Sequence, residues 1–350
     1  MDTVSNLEAP LELSVIICSR NPRREYFQRV LEALKAQSLE KSRWELLLVD
    51  SASDIPLENS EPISWHGRHR YVRVGEPGLA LARIRGVEAA LGRLLVFVDD
   101  DNVLNPDYLE EAVALGNSFP QLGIWGGSTL PVYEMSPPEW FHEHASMIAV
   151  REISRDLWSN IPRMEEPWVI GAGMVVRREL ALEYAAIVRS DPRRLFLSRA
   201  PDGRNLGGED LDMVLSVCDV VMREFPQWFR GEDLDMVLSV CDRGFGRGVF
   251  KSLVLHHLIP AHRCTGDYLE SIMVGNAASV SLIQMFRDGT AIPPHVLALR
   301  HLPYRMMQWW RSRHACRHEK MRSRTRRKGL ALAEKLFLEL SQTLHPIKKS

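Results

Sequence analysis

Val96-Phe97-Val98-Asp99-Asp100-Asp101 decides how the rest of the chain is read. An apolar run of strand character delivers three consecutive carboxylates at its C-terminal end. Like charges packed this closely repel and raise each other's pKa unless a cation or hydrogen-bond donors compensate. Hard divalent cations such as Mg²⁺ and Mn²⁺ choose oxygen ligands and need only one or two protein carboxylates beside substrate phosphates. The run therefore predicts a metal site that clamps a diphosphate. The plainer reading is an acidic helix cap, since Asp is a good N-cap and Asn105-Pro106 follows with helix-start character.

Upstream of this run, buried strands and helices alternate. Leu13–Cys18 is a continuous apolar run with β-branched residues, suited to a strand covered on both faces. Phe27, Val30, Leu31 and Leu34 recur at helical spacing within 25–37. Trp44–Asp50 is a second buried strand, Tyr71–Val74 a short third, Leu79–Leu91 a helix and Leu94–Val98 the strand that ends in the acids. Alternation of this kind means a parallel sheet with crossover helices. Ligands of such sheets sit outside the carboxyl ends of the strands. Ser19-Arg20-Asn21, Asp50-Ser51 and Asp99–Asp101 all fall at such ends, so three strand ends converge on one crevice.

Beyond residue 120 the pattern loosens. Ile124–Ser128 reads as a strand into a Gly turn, and Ser136–Phe141 as a loop with exposed aromatics. Trp168–Val176 reads as a strand whose two glycines imply a bulge or a close backbone approach. A helix over Arg177–Val188 and a strand over Val249–Ile259, carrying His256-His257, follow. Gly208–Asp219 recurs letter for letter at Gly231–Asp242, a 23-residue internal duplication. From Tyr268 onward the pattern is helical.

Composition is that of a soluble globular protein, 45% hydrophobic and 25% charged over 350 residues. Five scattered cysteines without a CxxC pair argue against a zinc or disulfide framework. No signal sequence or membrane-length apolar run is evident, which predicts a cytoplasmic protein. The net charge of -1 hides a cluster of ten Lys/Arg against one acid, Glu319, between Arg305 and Lys328, with Trp309-Trp310 inside it. Such a cluster suits a solvated helix face or peripheral contact with anionic lipid at a membrane. Nucleic acid is not expected, since no recognised module accompanies it.

In order and spacing these pieces resemble the family 2 glycosyltransferases, of the GT-A fold, over roughly Leu13 to Arg263. The pieces are Ser19-Arg20-Asn21, the Val49–Asp54 turn, Gly78–Gly86, the Asp99–Asp101 triplet, Gly171–Met174, the Gly-Glu-Asp before a helix, and the late His. The resemblance implies an α/β, Rossmann-like, mostly parallel sheet flanked by helices, with a C-terminal helical extension. It divides the chain into a glycosyltransferase domain at 1–265 (donor half about 11–120, acceptor half about 121–265) and a helical, basic region at 266–350. It implies transfer with inversion from a nucleotide-diphosphate sugar to a hydroxyl of a glycan or lipid-linked acceptor, with Mn²⁺ or Mg²⁺ as cofactor.

Residue by residue, Asp50 matches the contact to nucleobase or ribose, although a strand-end turn acid reads the same way. Ser19 and Arg20 match the loop that borders the nucleotide. Arg83 matches the Arg of an Ala-Arg-Asn segment whose Asn is Ile84 here, and Gly173 stands where many members have Asn. Asp99 and Asp100 join the nucleotide-sugar contacts. Alternate positions of an extended segment share a face, so Asp99 and Asp101 are the pair able to point together, as an Asp-X-Asp metal motif with Asp101 the direct ligand. A late His completes the site in the family. His256 and His257 alternate faces, so one points in, with His262 a more distant candidate. The expected base is the second residue of the Glu-Asp pair: Glu209-Asp210 in one copy of the duplication, Glu232-Asp233 in the other. Two alternatives stand beside this reading: a catalytically impaired sugar-nucleotide-binding protein, and a nucleotidyltransferase of similar fold.

Overall fold

Three covered strands form the centre of the sheet, as their largely apolar runs require. The structure, a computed structural model, describes residues 11–160, 167, 169–190, 245–275, 278, 328–329, 331–333 and 335–336. The strands are β1 (Leu13–Ser19), β2 (Trp44–Ser51), β3 (His69–Val74), β4 (Leu94–Val98), β5 (Asn102–Leu104), β6 (Leu122–Tyr133), β7 (Leu157–Ser159), β8 (Val175–Arg177) and β9 (Gly246–Ile259). The helices are α1 (Arg24–Lys35), α2 (Leu57–Ser60), α3 (Leu79–Ala89), α4 (Tyr108–Ser118) and α5 (Arg178–Ser190). Among the described residues the sheet order is β3-β2-β1-β4-β8-β6-β9-β5, with β7 also on β9.

Period-2 alternation of the strand side chains sorts the core into two layers. Leu13, Val15 and Ile17 of β1 pack with Phe27, Val30, Leu31 and Leu34 of α1 and with Leu109 and Val113 of α4. Ile16 points the other way, with Ala82, Ile84 and Val87 of α3 and Leu180, Ala181 and Tyr184 of α5. Gly86 lets α3 lie close, for a Cβ there would stand 2.6 Å from Ile16 Cγ2. Residues 266–275 are helical, and Ala278, Ala333 and Leu336 are buried in the α3/α5 layer.

The first four strands are parallel, as the alternation predicts. β8 then runs antiparallel to both β4 and β6, and β9 runs parallel to β6. Two reversals restore the direction, so β9 and β4 finish at the same edge as β1 and β2. This edge carries the strand-end acids and the late histidines.

Several expectations beyond residue 120 are corrected. β6 does not stop at its glycines. It runs through Gly126-Gly127 with a register shift against β9, because a Cβ on Gly127 would lie 1.9 Å from the Leu253 carbonyl oxygen. Phe141 is fully buried, and Trp140 alone of that pair is 45% exposed. The expected Trp168–Val176 strand is only Val175–Arg177 among the described residues, because Gly173 has φ +72°, outside strand geometry. Its N–H donates to Phe97 O at 3.0 Å, and its carbonyl accepts from Tyr108 Oη at 2.6 Å.

A side chain at Gly173 would place Cβ 2.4 Å from Tyr108 Oη and 2.6 Å from Leu255 Cδ2. Gly173→Ala should therefore cost about 2–4 kcal/mol, from overpacking and the left-handed backbone together. Asn, which tolerates that backbone elsewhere, meets the same steric block. Urea unfolding checks this; an unchanged midpoint would mean that Tyr108 yields.

Candidate functional site

At the end of β4 the chain turns back instead of continuing extended. Asn102 N–H donates to Asp99 O at 3.1 Å, closing a tight turn from which β5 departs. The shared-face expectation for Asp99 and Asp101 fails here, since it required an extended segment. The three carboxylates instead fan out to different partners. Asp99 Oδ1 lies 3.8 Å from Nη2 of Arg83, whose buried guanidinium sits 5.8 Å from the Phe97 ring centroid. Asp100 accepts a short hydrogen bond from the Ser19 hydroxyl. Asp101, 11% exposed at its side chain, accepts from Arg263 Nη1 at 2.9 Å and stands 3.4 Å from His257 Nε2. Burial, and then the charge of Asp101, push Asp100 up to about 7 against the Ser19 hydroxyl. Beneath the turn, burial pushes the Cys18 thiol up to about 12, so it stays neutral.

The two histidines are divided by strand register. β5 pairs antiparallel with β9, setting Asn102 opposite His257 and Val103 opposite His256. His257 is buried and faces Asp101. His256 faces the other way, into an open cavity of about 440 Å³ lined by Arg29 and Glu32 of α1 together with Val103 and Pro106. His262 is exposed and packs edge-on against Tyr268.

Loops after β1 and β2 form the rim. Ser19 stands opposite Asp50 in the parallel register. Both Asp50 oxygens are engaged: one accepts from Ser53 N–H at 2.8 Å, the other from Leu57 N–H at 3.2 Å and Arg73 Nη1 at 2.6 Å. Asp50 thus shapes the loop that follows it. Asn21 and Ala52 hold positive φ, 50° and 55°. The two loops are laced by Asn21 N–H to Ser53 Oγ at 3.0 Å, Asp54 N–H to Asn21 Oδ1 at 2.9 Å, and Arg20 Nε to Ala52 O at 3.3 Å. Non-glycine residues in the left-handed region carry strain and concentrate at functional sites. Arg20 is exposed at the mouth.

Sequence reasoning did not single out Arg263, Arg73 or Glu134. Glu134 accepts from Arg23 at 2.6 Å and from Ala261 N–H at 2.9 Å, which hold its carboxyl down at about 2. It thereby bolts the β1–α1 loop to the Ala261–Cys264 turn that carries Arg263. A basic residue shortly after the His strand was the one available signal. Glu209, Asp210, Glu232 and Asp233 lie outside the described residues, as do the duplication and the basic cluster of 305–327.

The donor set suits a divalent cation. Among the described residues no three His, Cys, Asp or Glu side chains converge as a cage. Asp101 and His257 nevertheless offer one oxygen and one nitrogen at the carboxyl edge, and Mg²⁺-type sites commonly use one or two protein ligands plus phosphates. The pair already holds a cation, the guanidinium of Arg263. Arg263 Nη1 stands 2.9 Å from Asp101 Oδ2 and 3.3 Å from His257 Nε2.

Residues 14–181 match the family model "Glycosyl transferase family 2". The chain is 24% identical over 136 residues to glucosyl-dolichyl phosphate glucuronosyltransferase of Haloferax volcanii, covering 38% of this chain and 43% of that protein. It is 31% identical over 88 residues to EpsH of Bacillus subtilis, covering 25% of each. The match thus spans less than half the length of these curated relatives. Crystal structures of S. aureus TarS 1–349 superpose with TM-score 0.42 at 12% identity, covering 96% of this chain and 93% of that chain. The complex of that protein with UDP-GlcNAc gives 0.43 at 13% identity, covering 95% and 92%. The matched segment contains the three strand ends, Arg83 and the Gly171–Met174 turn, so it is over residues 14–181 that the chain is similar to glycosyl transferase family 2.

Proposed function

We propose that this chain transfers a sugar, with inversion, from a nucleotide-diphosphate sugar to a hydroxyl of a glycan or lipid-linked acceptor in polysaccharide or glycolipid assembly. The observation that carries the reading is the convergence of Asp101 Oδ2 and His257 Nε2 to 3.4 Å at the edge where β1, β2 and β4 end. Asp101 and His257 would hold a divalent cation there, with Asp99 and Asp100 in the adjoining turn. When bound, such a cation supplies Lewis-acid stabilisation of the charge that develops on a departing diphosphate. The laced loops of Ser19–Asn21 and Asp50–Asp54 border the nucleotide, and Arg20 offers a cation at the mouth. Asp233 or Asp210 takes the proton of the acceptor hydroxyl as it attacks, the role a positioned carboxylate fills. The basic cluster at 305–328 is proposed to meet anionic lipid. No described helix is long and apolar enough to cross a membrane.

Thermal unfolding tests the donor half. UDP or GDP with Mn²⁺ should raise Tm beyond either component alone, since ligands that bind only the native state stabilise it by mass action. At a concentration 100 times the dissociation constant the gain is about 2.7 kcal/mol. No Mn²⁺-dependent rise with any nucleoside diphosphate would sink the proposal. The duplication favours a second reading, a sugar-nucleotide-binding protein without turnover. Metal-dependent hydrolysis of UDP- or GDP-sugars in the absence of acceptor separates the two, because only the first predicts it.

A further inference from the structure

Asp101 and His257 meet only if two things are fixed: the plane of a carboxylate and the register of a hairpin. The carboxylate does not fix its own plane. The terminal torsion of Asp is broad and roughly two-fold, so its oxygens go where their hydrogen bonds put them. Asn102, fully buried at the start of β5, supplies one such bond: its Nδ2 donates to Asp101 Oδ1 at 3.0 Å. The nitrogen end of the amide must be the one that faces Asp101, since the oxygen end would meet a second acceptor. With Oδ1 held in this way, Asp101 Oδ2 stands 3.4 Å from His257 Nε2. The backbone of Asn102 meets the second condition. Its N–H closes the turn on Asp99 O at 3.1 Å, and its Cα lies opposite that of His257 in the antiparallel register. Directly opposed residues share a face of the sheet. Leu258 N–H, on Asp101 O at 2.8 Å, fixes that register against slipping.

We infer that Asn102 is a positioning residue of the site: its side-chain amide orients Asp101 for the divalent cation without being a ligand itself. The inference rests on the metal reading of Asp101 and His257. Groups that hydrogen-bond a metal-binding side chain from behind set its direction, and losing one typically weakens metal affinity or activity about 10- to 100-fold. Asn102 suits the task because it donates and carries no charge. A Lys or Arg in its place would neutralise one of the clustered acids, and an Asp would add a fourth. Its two roles use separate atoms, the backbone N–H for the turn and Nδ2 for the carboxylate. A substitution can therefore delete the second and keep the first.

The test is a Mn²⁺ titration of the full chain, followed by the EPR signal of free Mn²⁺, on Asn102→Leu and Asn102→Ala. Leu keeps the bulk of the side chain and loses the donor, whereas Ala loses both. Each should bind Mn²⁺ about 10- to 100-fold more weakly than the parent, and by a similar factor, because the hydrogen bond and not the volume is what matters. The Mn²⁺ concentration needed for half of the Tm gain with UDP or GDP should rise by that same factor. Saturating Mn²⁺ should then restore the full gain, since both proposed ligands are still present; a misfolded variant would not recover. Parent-like Mn²⁺ affinity in Asn102→Leu would overturn the inference, including when Asn102→Ala is impaired, for the role would then be packing alone. A deficit that saturating Mn²⁺ does not restore would overturn it as well. Asp101→Asn separates this from failure of the underlying reading. If it binds Mn²⁺ as the parent does, the site itself is misassigned. If it is impaired while Asn102→Leu is not, only the role of Asn102 falls.

Discussion

Asp101→Asn is expected to remove the Mn²⁺-dependent part of nucleotide stabilisation and to lower sugar transfer by at least about 100-fold, the scale of losing one preorganised electrostatic partner of a transition state. The substitution keeps the shape of the side chain and an oxygen able to accept from Arg263 Nη1, now 2.9 Å from Asp101 Oδ2. What it deletes is the negative charge. Because Asp99 and Asp100 flank the position, that deletion also relieves like-charge repulsion, so the ligand-free Tm should not fall by more than a few degrees. A loss confined to the metal-dependent arm is thus distinguishable from a fold defect. His257→Ala should act in the same direction, as the second donor of the pair. His256→Ala should leave Mn²⁺ affinity unchanged, because its ring faces the cavity beside α1. Full Mn²⁺-dependent stabilisation in Asp101→Asn, or equal effects of the two histidine variants, would remove this strand end from the metal site.

The parts of this fold that could be read from sequence are those whose signal is local. β1, β2 and β4 are largely apolar runs because both of their faces are covered, with buried Ser14 and Glu45 bonded to each other. The buried residues of α1 fall at helical spacing because one face packs on that sheet. The parts that could not be read depend on a distant partner. Whether Gly126-Gly127 ends a strand or bulges within one is decided by the Leu253 carbonyl across the sheet. Which of two adjacent histidines points inward is decided by the register of the three-residue β5, which carries no periodic signal of its own. The triplet's turn is similar: with Asp99–Asp101 hydrogen-bonded as a reversal, alternation of side chains no longer applies, and Asp99 swings toward Arg83. Asp50 was legible as a strand-end acid by position alone, while its satisfaction by Ser53, Leu57 and Arg73 needed the folded loop. Arg263 escaped notice because a single basic residue after a strand has no pattern to betray it.

Asp233→Asn is expected to reduce sugar transfer by about 10²- to 10⁴-fold, the range for a general base, while Asp210→Asn keeps activity within a few fold. Both acids lie in identical twelve-residue copies outside the described residues, so the distinction comes from their tethers to fixed points. Copy two ends at Asp242, and residues 243–245 alone separate it from β9. The start of β9 is firmly held. Gly246 N–H donates to Gln121 O at 2.5 Å, and Arg247 is fully buried with Nε on Pro167 O at 3.0 Å. Copy one begins at Gly208, and residues 191–207 separate it from the end of α5 at Ser190. Connections into a sheet strand are typically about 2 to 6 residues, and one that short constrains what precedes it. The longer upstream stretch can absorb a displaced segment at little entropic cost, since loop closure grows only slowly with length. Copy two is therefore the copy expected to supply the base. Each variant is to be assayed for transfer and, separately, for Mn²⁺-dependent nucleotide stabilisation, which neither should alter if the donor site is built from the residues proposed above. Loss of transfer in Asp210→Asn alone would assign catalysis to copy one. Full activity in both variants would take the base out of the repeats altogether, and a parent that binds nucleotide but transfers nothing would favour the binding protein over the enzyme.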